Sequence, residues 1–193
     1  MKKICVLLVA VLTGLGVVAQ ETTEKKESET WHPYHRISIL MANGHIPAVN
    51  TSAGAFKNTI VPIWGFDYDY WFHPRWAVGL HNDLIIQEFK VAKEEGGATV
   101  ERVRPFSTSV TALYKATEHL IFTAGFGQEW EKSEHLRLYD LGVEYGWELP
   151  KDWELSINGK FEKKITVYST WLFGIGISKK IIGRNATSPK KKD

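Results

Sequence analysis

The sequence has 193 residues, of which 44% are hydrophobic and 24% are charged, with a formal net charge of +2. That length fits one domain or two small ones, and so small a charge imbalance argues against nucleic acid as a partner. The single cysteine, Cys5, lies in an apolar N-terminal run that we expect to be removed, so disulfide and thiol chemistry are excluded for the rest of the chain.

The N-terminus has the pattern of a secretory signal. Lys2 and Lys3 precede an apolar run from Ile4 to Ala19, which falls short of the roughly 20 residues that a transmembrane helix needs. We therefore predict a cleaved signal peptide over residues 1–19. Residues 20–30 are polar and have no periodicity, which predicts a flexible periplasmic lead-in.

From residue 31 onward the chain alternates apolar and polar residues with a period of two, which is typical of β-strands. The clearest case is 59–88, where a turn at 73–75 joins two alternating runs as in a β-hairpin. Asn82 and Gly159 interrupt the pattern, which predicts a bulge or a register slip at each. The eight predicted strands cover 35–44, 59–72, 76–88, 106–115, 120–130, 139–148, 153–161 and 166–178.

The connections between these strands alternate in character. Tight connections occur at 73–75, 117–119 and 150–152, whereas longer or more polar ones occur at 45–58, 89–102, 131–136 and 162–166. Short periplasmic turns and long outer loops are the pattern of an outer-membrane barrel, with an even strand number and both termini in the periplasm. Residues 179–193 carry six basic residues and are predicted to be a disordered periplasmic tail that could contact anionic headgroups.

The bulk of the side chains indicates which face points outward. A soluble, ligand-carrying barrel of the lipocalin kind turns its apolar face inward, but the interior of eight strands is only just wide enough for its own side chains. Here the apolar face is heavily aromatic, whereas the opposite face is rich in glycine. We therefore predict an all-β fold over 31–178, an eight-stranded antiparallel up-and-down transmembrane β-barrel. Its lipid-facing aromatic girdle would comprise Tyr70, Phe72, Trp76, Trp147, Trp153 and Trp171.

These features resemble the small eight-stranded outer-membrane barrels typified by the OmpA transmembrane domain, OmpX and PagP. The last segment, Trp171 to Ile177, is similar to the aromatic-glycine final strand that such proteins show to the barrel assembly machinery, although a basic tail follows it here. A signal that ends in Ala-Gln resembles those of Bacteroidota. The resemblance implies a Gram-negative outer membrane with lipid and lipopolysaccharide around the barrel. It brings no catalytic motif and no cofactor, and the outer loops are where a surface ligand or protein would bind.

The polar face carries the charges predicted to fill the lumen. Charges in a narrow interior must pair or hold water, so we expect a plug of salt bridges and hydrogen bonds. Acids outnumber bases on this face, so some carboxylates would be protonated or bind a cation. The predicted lumen residues are Asp67, Asp69, His81, Asp83, Lys115, Glu129, Asp140, Glu144, Glu148, Glu154 and Lys160.

A sharper hypothesis places a metal or general acid/base site near the outer end, formed by His45, His81 and Asp83. His135, in Ser133-Glu134-His135, supplies a residue type used by the PagL-type lipid A deacylases, but adjacent residues cannot all converge from an extended strand. No dedicated metal motif is present.

The leading functional prediction is a non-enzymatic barrel with a filled lumen, serving envelope integrity or surface interaction. The alternative is an outer-membrane enzyme that modifies lipid A, as a deacylase or an acyltransferase does.

Overall fold

The structure, a computed structural model, describes residues 31–50, 56–92, 99–131 and 134–182. In these residues no helix is long and apolar enough to cross a membrane. The predicted signal peptide, all of the lead-in and most of the basic tail lie outside the described residues. In the part of the chain that the structure describes there are ten strands: β1 (Tyr34–Asn50), β2 (Phe56–His73), β3 (Trp76–Ile85), β4 (Phe89–Ala92), β5 (Thr99–Arg102), β6 (Phe106–Lys115), β7 (Leu120–Trp130), β8 (Leu136–Leu149), β9 (Trp153–Lys164) and β10 (Tyr168–Ile182).

Eight of these strands close into a barrel. The order around the wall is β1, β10, β9, β8, β7, β6, β3 and β2, and β2 returns to β1. Every neighbouring pair is antiparallel. This confirms the predicted eight-stranded up-and-down barrel. Closure gives each of these eight described strands a hydrogen-bonded neighbour on both sides, which is what the hydrocarbon of a bilayer demands.

The connection from β3 to β6 contains a small hairpin that the sequence did not reveal. β4 pairs with β5 from Phe89 opposite Arg102 to Ala92 opposite Thr99. Phe89 and Val91 are buried, so the hairpin packs one apolar face inward. The connection predicted as a loop over 89–102 therefore contains two short strands, which the sequence pattern missed because four-residue strands are too short to show a period of two.

The turns at the opposite end of the barrel are tight. β8 and β9 are joined by three residues, of which Lys151 and Asp152 have φ of 62° and 59°. Two successive residues in the left-handed region give a turn the twist that matches the flanking strands. This end of the barrel is called the short-turn end below, and the end that carries the β4–β5 hairpin is called the outer end.

Several strands run further than predicted. β1 and β2 continue into the predicted loop 45–58, with Asn50 still opposite Phe56 after a register shift between Ile46 and Val49. The connection between β9 and β10 is three residues long, and β10 extends to Ile182. Ladder hydrogen bonds to a neighbouring strand outweigh the turn-forming composition of these segments.

The predicted irregularities at Asn82 and Gly159 are wrong, because the ladders run through both positions in register. The amide of Asn82 can lie on the apolar outward face because its hydrogen bonds are satisfied there. It donates to Phe66 O at 3.0 Å and accepts from Thr108 Oγ1 at 2.9 Å. At Gly159 a Cβ would lie 3.7 Å from the Phe173 ring, so a neighbouring aromatic side chain covers the gap.

Candidate functional site: the closed lumen and the outer rim

The outward face of the barrel is an apolar surface with aromatic residues towards both ends. Near the short-turn end, Trp76 contacts Tyr114 at a ring distance of 4.8 Å and Tyr145 contacts Trp147 at 5.0 Å. Between the two ends the exposed side chains include many aliphatic ones, such as Val110, which is 61% exposed. An apolar outward face with rings near both of its ends matches the hydrocarbon core and interfaces of a bilayer.

All six predicted girdle residues lie on this outward face, each between 37% and 50% exposed. Tyr70, Phe72 and Trp76 lie near the turn between β2 and β3. Trp147 and Trp153 flank the turn between β8 and β9. Trp171 lies towards the opposite end, where its ring is 4.7 Å from that of Phe161.

Inside the barrel, Arg36 is the centre of the ion-pair network nearest the short-turn end. It is 2% exposed, and its guanidinium donates to Asp69 at 2.9 Å, to Glu144 at 2.6 Å and to Glu154 at 2.9 Å. His81 Nε2 lies 2.9 Å from the second oxygen of Asp69. A planar group with five donors can serve several carboxylates at once, so one cation links β1, β2, β8 and β9.

A second cluster occupies the middle of the lumen. Lys160 pairs with Asp83, and Asp67 accepts a hydrogen bond from the backbone N–H of Asn82 at 3.3 Å. Beside them lies a cavity of about 40 Å³ lined by side chains that include Asp67, His81 and Lys160. A water needs about 10–15 Å³ of such space, so the cavity has room for only a few waters.

Asp140 differs from the other lumen acids. It is 1% exposed, and among the described residues neither of its carboxylate oxygens has a hydrogen-bond partner. It lies directly opposite Glu162 on β9 and against Gly125 on β7, where a Cβ would approach one of its oxygens to 2.7 Å. The glycine makes the room for this carboxylate, and the paired groups around it must offset the cost of its burial.

A third cluster lies near the outer end. Glu129 is fully buried and pairs with Arg102, and it also accepts the hydroxyl hydrogen bond of Tyr168. Lys164 pairs with Glu162 and lies 3.6 Å from Glu129. Because Arg102 belongs to β5, this cluster ties the outer hairpin to the barrel wall.

An apolar layer closes each end of the lumen. At the short-turn end Trp71, Ala77, Leu113 and Ile121 pack together. The outer layer brings side chains from the barrel wall together with Phe89 and Val91 of the hairpin. Its buried members are Leu40, Ala42, Ile46, Val61, Ile63, Ile85, Phe89, Val91, Leu136, Val167, Tyr168 and Leu172.

The remaining predicted lumen residues lie near the short-turn end. Lys115 is half-buried, with its ammonium 5.3 Å from the centre of the Trp71 ring. Glu154, besides its bond to Arg36, lies 3.6 Å from Lys180. Glu148 is largely exposed and pairs with Lys180 at 2.6 Å.

The structure does not bring the candidate catalytic residues together. His45 is exposed on the outward face of the barrel. His81 and Asp83 are buried in the lumen, where His81 pairs with Asp69 and Asp83 pairs with Lys160. His135 lies at the outer rim, and Ser133 lies outside the described residues. Within the described ranges, no three His, Cys, Asp or Glu side chains are grouped so that they could hold a metal ion.

Sequence reasoning missed several members of the network. Arg36 has the parity opposite to the apolar side of the first predicted strand, so the alternation could have found it. Glu162 and Lys164 continue the parity of Glu154 and Lys160, but they lay beyond the predicted end of that strand at 161. Arg102 carried no such signal, because it belongs to the hairpin that was taken for a loop. These added bases reduce the predicted excess of acids in the lumen.

The outer rim carries an open groove of about 670 Å³. It lies where the end of β7 meets the chain that enters β6. Two side chains at its edge contact each other, since the rings of Trp130 and His135 are 5.0 Å apart. The groove is lined by Glu88, Val103, Arg104, Trp130, Glu131 and His135.

No family model and no curated protein sequence matches this chain. Solved structures do match. The N-terminal β-barrel domain of Pseudomonas aeruginosa OprF has a TM-score of 0.52 at 11% identity, with 78% of this chain and 100% of that chain covered. The fold is that of a small outer-membrane β-barrel.

Two further solved structures match with lower scores. Neisserial surface protein A matches with a TM-score of 0.49 at 11% identity over 77% of this chain and 97% of that one. Ail, the attachment invasion locus protein of Yersinia pestis, matches with a TM-score of 0.48 at 14% identity over 77% and 99%. The strand order and the similarity to the OprF domain together identify the fold.

Proposed function

We propose that this protein is a non-enzymatic barrel of a Gram-negative outer membrane, with its short turns and both termini in the periplasm. The apolar outward face supports residence in a bilayer, and the alternation of turn lengths supports the orientation. Residues 1–19 would deliver the chain as a cleaved signal, and the last strand, β10, would be recognised by the barrel assembly machinery.

The observation that carries the proposal is the closed lumen. Within the described residues, apolar layers at both ends enclose a belt of charges that are mostly paired, and the cavity beside Asp67 and Lys160 is about 40 Å³. Such an interior gives solutes no continuous path. What it provides is a rigid cylinder that holds outer loops at the cell surface, which suits a role in envelope integrity or surface contact.

The test combines two measurements on the mature chain refolded into lipid, its gel migration and its conductance, with one on intact cells, the access of external protease. We expect heat-modifiable migration in detergent gels, cleavage by external protease between residues 93 and 101 in intact cells, and no ion conductance in planar bilayers above that of lipid alone. Steady conductance by the folded protein would contradict the closed lumen. Protection of that segment in intact cells, with cleavage only after the outer membrane is opened, would contradict the orientation.

A further inference from the structure

The outer-rim groove is built from two walls that the fold holds together. Arg104 and Val103 come from the segment that follows β5, whereas Trp130 and Glu131 come from the end of β7. The volume of about 670 Å³ lies within the roughly 300–1,000 Å³ typical of small-ligand sites. The groove is therefore large enough for a small organic group.

The two walls are fixed from beneath by a buried cation. Arg102 is fully buried, pairs with Glu129, lies 3.6 Å from Glu131 and donates to the backbone carbonyl of Glu134 at 3.2 Å. On the surface His135 packs against Trp130. A site whose walls are already ordered loses little conformational entropy when a ligand binds.

Arg104 is held in an unusual backbone conformation. Its φ is 46°, in the left-handed region, and proline follows it, which restricts the chain further. Its side chain is exposed and lines the groove. Backbone strain of this kind persists only where the surroundings impose it, and it is concentrated at binding and catalytic sites.

The charges in the groove indicate which ligand chemistry it suits. Glu131 is buried and shares Arg102 with Glu129, so the exposed charges of the groove are one cation, Arg104, and one anion, Glu88. A carboxylate and a guanidinium can accept and donate hydrogen bonds to hydroxyl groups, while the exposed Trp130 ring offers a flat apolar surface. A sugar ring has hydroxyls at its edge and C–H groups on its face, whereas an isolated phosphate would meet Glu88 without a surplus of cations.

The place of the groove indicates where that sugar comes from. Trp130 is paired across the ladder with Phe106, and both rings are exposed on the outward face that we assign to lipid. Resting on the proposed outer-membrane location, we propose that the groove binds the sugar headgroup of a glycolipid in the outer leaflet. The acyl chains would lie along the apolar wall below Trp130.

The experiment measures lipid retention by native mass spectrometry after reconstitution of the mature protein into phospholipid nanodiscs that contain lipid A, an acylated glucosamine disaccharide. We expect one lipid A to be retained, and retention to be about tenfold weaker for Trp130→Leu, since loss of a Trp anchor commonly costs at least that factor. Arg104→Gln is expected to weaken retention in the same direction. Trp171→Leu, which removes an exposed outer-end ring outside the groove, is the matched control and should retain lipid A normally.

Each outcome decides a separate question. Equal retention by Trp130→Leu and Trp171→Leu, both with heat-modifiable migration intact, would overturn the proposed site. Retention of phosphatidylglycerol that is equally sensitive to Arg104→Gln would also overturn it, since that lipid offers a phosphate without a sugar. So would binding of the free disaccharide without retention of lipid A, because the ligand would then come from solution. A retained lipid A that loses an acyl chain would support binding while contradicting the non-enzymatic function.

Discussion

Replacing Arg36 with methionine is expected to destabilise the barrel by about 3–5 kcal/mol or more, the cost of removing one partner from a buried ion pair. The change leaves three carboxylates, those of Asp69, Glu144 and Glu154, without their shared cation. Asp69 keeps His81, and Glu154 keeps a longer contact to Lys180 at 3.6 Å. Urea titration in detergent micelles, followed by the folded fraction in heat-modifiable gels, measures the loss.

A second variant tests whether the loss comes from unpaired carboxylates, and a control shows the effect of breaking an exposed ion pair. Adding Glu144→Gln to Arg36→Met removes the carboxylate that depends most on the guanidinium, and it should recover part of the lost stability. Lys90→Met breaks a pair that is 58% and 56% exposed, and it should change stability by no more than about 1 kcal/mol. If Arg36→Met unfolds at the same urea concentration as the parent protein, the lumen network does not stabilise the fold in the way we describe.

Replacing Val110 with lysine is expected to cost about 2–4 kcal/mol in a bilayer, as measured for cations at the midplane of barrel proteins. Val110 is 61% exposed on the outward face, and its ladder partners there are Leu80 and Phe126. The position is far from either end of β6, so the ammonium cannot easily reach water. The measurement is reversible unfolding from lipid vesicles.

The control for this substitution keeps the apolar character of the site. Val110→Leu should be close to neutral in the same vesicles, which separates the cost of charge from the cost of altered packing. If the outward face were in contact with water, an exposed valine replaced by lysine would change stability by only about 0.5 kcal/mol in either direction. An unaffected lysine variant would therefore contradict the lipid-facing assignment.

Most of the fold could be predicted from the alternation of apolar and polar side chains. The hairpin of β2 and β3 was visible because Trp64, Phe66 and Tyr68 alternate with Gly65 and Asp67 over a long run. Side-chain volume alone assigned the two faces, because the narrow interior of an eight-stranded barrel has room for the glycines but not for the bulky rings. Long strands of a closed barrel can therefore be recognised from the sequence.

The contacts inside the lumen could be predicted only in kind. Period two places Asp69 and His81 on the inner face, but which cation each acid meets depends on the stagger between strands, and that stagger is set by the whole barrel. Arg36 reaches Glu144 across 108 positions of sequence, a pairing that no local pattern contains. The apolar layer around Trp71 was missed for a related reason, since a ring at an inward position breaks the rule that identified the lumen.

The most direct test of the central claim is quenching of tryptophan fluorescence by lipids with brominated acyl chains. Six of the seven tryptophans on the barrel strands are exposed on the outward face, and Trp71 is buried in the lumen at 1% exposure. In a Trp31→Phe background, vesicles of brominated lipid should quench most of the tryptophan emission. The emission that remains should disappear when Trp71 is also replaced by phenylalanine. Emission that is unchanged by brominated chains would show that these rings do not face hydrocarbon, and it would contradict the account.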